Sequence, residues 1–153
     1  MAKKSRKGDL ADIEKIIRER LGNVKNNVVR ATARSTQVVL KEAVDRISSG
    51  GRSGRQYVKK SGVIHTASAP GEYPKTDTGE LIRSIFTNIE TKGSVVVGQI
   101  ICDAEHGAPL EFGTMHMDPR PFMQPSLDSK SGEIYQIFAQ EGYLKTTRGG
   151  GVN

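Results

Sequence analysis

Residues 104–127 read A-E-H-G-A-P-L-E-F-G-T-M-H-M-D-P-R-P-F-M-Q-P-S-L, an irregular segment between a strand-like run and a helix-like run. Pro109, Pro119, Pro121 and Pro125 each fix φ and restrict the residue before them, so most of the path is set before tertiary contacts form. Gly113 supplies a position for positive φ directly after Glu111 and Phe112. The segment is a built corner, and on its residues alone it reads equally as a surface turn anchored by Phe112 and Phe122. Glu111 is suited to accept backbone N–H bonds at the turn, or an arginine, and Arg120 is close in sequence. The two phenylalanines read as lids over a core, with platforms for nucleobases beside Arg120 as the alternative.

Outward from the corner, Ser94 to Cys102 is the clearest strand of the chain, and Ile85 to Glu90 is expected to pair with it antiparallel across a Lys92-Gly93 turn. Before them, Asp77 and Glu80 have the spacing of a capping box opening a short helix whose apolar side is Leu81, Ile82 and Ile85. Residues 50–75 predict a flexible Gly/Arg/Ser loop followed by a hairpin arm, with strands at 56–59 and 63–66 around Lys60-Ser61-Gly62. Residues 9–49 carry Leu10, Ile13, Ile17, Leu21, Val24, Val28 and Ala31 at helical spacing, with Asp9 as N-cap and Gly50-Gly51 as the stop. The pattern fits one helix of ~60 Å, or two folded back at Gly22. After Pro125, Leu127, Ile134, Ile137, Phe138 and Leu144 predict a helix packed on the sheet. The expected class is α+β: a long N-terminal helix, a small antiparallel sheet with a hairpin arm, and a C-terminal helix. Residues 9–145 form the single domain, 76–145 holding the sheet and second helix, and residues 1–8 and 146–153 are expected to be disordered tails.

The 153 residues suffice for one core, but only 35% are hydrophobic and 5% aromatic, so the core is thin and part of the burial is expected from neighbouring subunits. The net charge of +6 is concentrated. Residues 1–7 hold Lys3, Lys4, Arg6 and Lys7, and residues 46–71 hold Arg46, Arg52, Arg55, Lys59 and Lys60, with no acid in either segment. Setting these nine aside leaves 14 basic residues against 17 acidic ones, so the rest is slightly acidic. The two basic segments are either solvated or contact phosphate or an acidic partner. A single cysteine, no apolar leader behind the basic start, and no membrane-length apolar run predict a soluble protein kept in reducing cytoplasm. Enzyme motifs are missing: there is no nucleophile elbow, phosphate-binding glycine loop or zinc-helix pair. Cys102, His106 and His116, with Asp103 or Glu105, match no standard zinc spacing, and Glu111 with Asp118 forms a carboxylate pair without a substrate pocket around it. No cofactor, metal or catalytic residue is expected.

The order L-E-F-G-T (110–114), a short spacer, then P-R-P-F-M-Q-P-S-L (119–127) resembles the head–tail joining, or neck, proteins of long-tailed bacteriophages. S-A-P-G-E-Y-P (68–74) and T-G-E-L-I-R-S-I (78–85) stand where that family carries similar words, in the same order. The resemblance covers about 57–127 and the preceding helix. One departure is Asp103, where such proteins often have an aromatic residue. The resemblance implies a non-enzymatic virion protein, assembled in the host cytoplasm into a homo-oligomeric ring, six-fold favoured over twelve-fold. That ring would join portal or adaptor proteins to the tail and line the DNA path. Leu110, Glu111, Phe112, Gly113, Thr114, Arg120, Pro121 and Phe122 would shape the subunit or partner contact. Lys3, Lys4, Arg6, Lys7, Arg52, Arg55, Lys59 and Lys60 would touch DNA or a partner ring. The alternatives are a nucleic-acid-binding protein using the basic segments and, within phage, a tail terminator or tail-completion protein.

Overall fold

A single helix, α1, runs Lys7–Ser49, and a β-hairpin and the last helix pack along it. The structure, a computed structural model, describes residues 7–75 and 77–141. The 43 residues of α1 span ~64 Å at 1.5 Å per residue. Gly22 neither breaks nor kinks it, because no proline or αL cap follows to stop the ladder, and a lone exposed glycine costs a helix only about 1 kcal/mol. The helix starts before Asp9, so that residue lies inside it instead of capping it. It stops at the expected glycine pair, where the Gly50 N–H bonds Ile47 O at 3.3 Å. From Ala31 onward its inner face is small and buried: Ala31, Thr32, Ser35, Thr36, Val39, Ala43 and Ile47.

Those small side chains let a β-hairpin approach closely. Strands β3 (Ile85–Lys92) and β4 (Val95–Cys102) pair antiparallel in full register, from Ile85 opposite Cys102 to Lys92 opposite Val95. Gly93 closes the turn with φ 63°. Gly98 sits over α1 so tightly that a Cβ there would lie 2.6 Å from Thr36 Cγ2 and 2.7 Å from Thr32 Cγ2. Ile89, Ile100 and Thr87 share that inner face, and Gln37 on α1 donates to Thr87 Oγ1 at 3.1 Å.

The arm precedes them. Its strands β1 (Gln56–Val58) and β2 (Ile64–Thr66) pair antiparallel, with Gly62 at φ 81° in the turn. The loop at its base is packed, contrary to the expected flexibility. Gly50 and Gly54 lie against the backbone at Pro74 and Ser68, where a Cβ would come within 2.7 and 2.5 Å of carbonyl oxygens. Helix α2 (Glu80–Arg83) follows, without the expected capping box. Asp77 instead pairs with Lys59 and lies 3.4 Å from His65 Nδ1, so Thr78 Oγ1 accepts the Glu80 N–H. Long-range charge partners outcompeted the local cap.

The last two helices are α3 (Gly107–Phe112) and α4 (Met123–Gln140). Helix α4 runs antiparallel along α1, held by Arg34 to Glu141 at 2.7 Å near one end and Lys130 to Glu42 at 3.5 Å near the other. An apolar cleft remains where α4, α1 and β4 meet, lined by Val39, Ile100, Leu127, Ile134 and Phe138. Ser35 Oγ also lines it, buried, and finds no hydrogen-bond partner among the described residues. The core proper is Ile47, Leu81, Ile85 and Phe122, bringing α1, α2, β3 and the corner together. No described helix is long and apolar enough to cross a membrane.

Candidate contact surface at the corner

Glu111 organises the corner. Its carboxylate accepts the backbone N–H groups of Phe122 at 2.8 Å, Met123 at 2.9 Å and Gln124 at 2.9 Å. These are N–H groups of the first turn of α4, which no intrahelical carbonyl can satisfy. The next residue is Pro125, which has no N–H to orphan. A negative charge at a helix N-terminus is also favoured by the helix dipole. One side chain of α3 thus caps α4 from across the loop, and this physically couples the L-E-F-G-T word to the P-R-P-F-M-Q-P word.

The loop between them is closed from within. Gly113 holds φ 75°, and a Cβ there would stand 2.8 Å from Met117 O and 3.1 Å from the Pro119 ring. Thr114 and Met117 form a short bridge, the Thr114 N–H donating to Met117 O at 2.8 Å. The Arg120 N–H bonds Leu110 O at 2.7 Å. The Arg120 guanidinium does not meet Glu111, its neighbour in sequence, but donates from Nε to Ser68 O at 3.1 Å. The Gly71 N–H in turn bonds Pro119 O at 3.1 Å. The S-A-P-G-E-Y-P word therefore docks on the same corner.

Glu72 completes that word. It accepts bonds from the Ser53 hydroxyl and from the Ala69 N–H at 2.9 Å. These bonds, the Ser53 hydroxyl first, hold its carboxyl below the usual range. Beside it, Arg46 stacks over the Tyr73 ring at 4.7 Å.

The eight residues expected to shape the contact sort by depth. Phe122 is completely buried and Leu110 joins the core, so both support the loop from inside. Glu111, Arg120, Gly113 and Pro121 are partly buried, the first two committed to backbone partners. Phe112 and Thr114 face outward. Phe112 is 81% exposed, which corrects the expectation that it closes over the core. Met115, missed by sequence reasoning, is 96% exposed beside it. A lone methionine in a loop carries no periodicity that could have flagged it.

Among the basic candidates, Arg52, Arg55 and Lys60 are exposed around the arm, while Lys59 is paired to Asp77. The Lys7 backbone opens α1, and Lys3, Lys4 and Arg6 lie outside the described residues. Under the arm, Tyr57 packs against His65 at 5.2 Å between ring centres, in a polar hollow reaching His106 and Arg120. Burial, then the charges of Lys59 and Lys75, push the His65 imidazole below its ordinary value. No group of three metal-ligating side chains forms among the described residues, and Cys102 Sγ faces Ser84 Oγ at 3.5 Å. Glu111 is occupied by N–H groups and Asp118 is exposed on the loop. No protein-family model, no curated protein and no solved structure matches the chain.

Proposed function

We propose that the chain is a structural protein of a tailed-phage virion, assembling as a ring at the head–tail junction and acting by shape, not by reaction. The observation that carries this reading is the corner. Three sequence words resembling those of neck proteins converge on one preorganised loop, which presents Phe112 and Met115 outward. A loop fixed by proline, Gly113 and the Glu111 cap loses little conformational entropy on docking, so more of its contact energy appears as affinity. A ring of identical subunits needs two different complementary surfaces on each copy. The ring, six-fold or twelve-fold, would join portal or adaptor proteins to the tail and surround the DNA. A tail-terminator or tail-completion role is the near neighbour of this reading.

The test is native mass spectrometry of the purified protein, alone and with portal and tail components. A closed ring, alone or on a partner, is the expected result; a monomer in every mixture would overturn it. A second reading, nucleic-acid binding, is favoured by the exposed Arg52, Arg55 and Lys60 at the arm. It requires affinity that collapses with salt, a steep negative slope of log affinity against log salt.

A further inference from the structure

A run of exposed apolar side chains lies on the first half of α1. Leu10, Ile13, Ile17, Leu21 and Val24 recur at steps of three and four, with Ile16 beside them, and all six are between 44% and 64% exposed. The same stripe continues into the buried face from Ala31 onward, so it has the spacing of a packed helix, yet among the described residues its side chains stay largely exposed. The β3–β4 tip borders an open groove with Leu21, Val24 and Val28, and α1 runs on ~21 Å beyond Leu21.

A second uncovered surface lies on the same chain. The β3–β4 sheet is covered by α1 on one face only. By register its outer face carries Phe86 opposite Ile101, Asn88 opposite Gln99, Glu90 opposite Val97 and Lys92 opposite Val95, so half of its side chains are apolar. Phe86 is 47% and Val95 57% exposed. Neither surface carries a net charge that would repel a like copy: residues 9–25 of α1 hold Asp9, Asp12, Glu14 and Glu19 against Lys15, Arg18, Arg20 and Lys25, and on the sheet face Glu90 pairs with Lys92 at 2.8 Å.

We infer that the first half of α1 lies across the outer face of the β3–β4 sheet of a second copy, giving that sheet a helix on each face. The contact is head-to-tail, helix of one copy to sheet of the next, so it propagates around a ring instead of closing as a two-fold dimer. It deepens the ring reading by naming the surfaces that join the subunits. The aliphatic stripe and the opposing sheet face together offer on the order of 1,000 Å², the scale at which an interface becomes specific.

Two variants test it in the full chain: I17D/L21D on the helix and V95K/V97K on the sheet, with circular dichroism confirming the fold. By analytical ultracentrifugation each variant alone is expected to be monomeric, its self-association weakened at least ~100-fold. Mixed together they are expected to form a one-to-one pair that grows no further, because one intact helix face meets one intact sheet face. If the sheet variant still associates like the parent while the helix variant does not, helix pairs with helix and the inference falls. It falls also if wild-type protein is monomeric at about 100 µM, well above the micromolar range of specific contacts. If a ring forms on portal or tail components and survives both variants, the inference fails while the ring reading stands. If the variants pair as expected but no closed ring appears in any mixture, the head-to-tail contact stands and the ring reading fails.

Discussion

Glu111 shows what one carboxylate does for this corner. Replacing it with alanine leaves the N–H groups of Phe122, Met123 and Gln124 without their acceptor at the mouth of α4. The expected loss is about 2–3 kcal/mol, measured by urea unfolding, since water recovers only part of a charged, partly buried cap. Glu111→Gln is expected to lose about half as much, because the amide keeps one acceptor oxygen and removes the charge. Ser35 is the opposite case. Its hydroxyl is buried without a partner, so Ser35→Ala is expected to raise stability by about 1 kcal/mol, and no gain would mean that the hydroxyl finds water in the cleft. The role of Glu111 was partly legible in the sequence, where an acid beside a glycine turn reads as an acceptor of backbone N–H groups or of Arg120, and the N–H groups are what it meets. The inward aim of Arg120 was not, because its partner at Ser68 is 52 residues away and neighbours in sequence are poor guides to neighbours in space.

At the scale of elements, helix and hairpin periodicities were readable and caps were not. The α1 stripe and the β3–β4 alternation come from repeated local signals, whereas Asp77 was misread because Lys59 and His65 compete for it across the arm. That competition makes the arm sensitive to acid. The His65 imidazole is held below its ordinary value by burial and then by Lys59 and Lys75, so the native arm favours the neutral form, with Asp77 facing it at 3.4 Å. Its contribution is full above the unfolded value of about 6.5 and is lost as pH falls through the native one. Glu72 is likewise held below the carboxylate range, so its tie between Ser53 and Ala69 is full above about 4.3 and fails at lower pH. Hydrogen-exchange protection at Gly54, Lys59 and Ala67, corrected for intrinsic rate, is therefore expected to fall in two stages on acidification. His65→Phe should abolish the first stage and leave the second; protection unchanged from pH 7.5 to 3 would refute the scheme.

For the whole molecule, the question is where 153 residues with so small a core find their stability. The described core is Ile47, Leu81, Ile85 and Phe122, with Ala31, Val39, Ala43 and Ile137 buried along the α1 face, while six large aliphatics lie in the open on the first half of α1. If those six are covered only in the assembly, stability has two parts: a monomer part set by the second half of α1, and an assembly part that depends on concentration. Removing residues 1–20 separates them. The described side chains of the excised turns are exposed, so at low micromolar concentration the shortened chain should melt within about 2 °C of the parent. Raising the parent's concentration a hundredfold should lift its melting temperature by several degrees, because mass action favours the covered state, while the shortened chain should not respond. A shortened chain that melts far below the parent even when dilute would mean that the first half of α1 packs within its own monomer. The apolar stripe would then be an internal surface, and the thin core would need no neighbour to complete it.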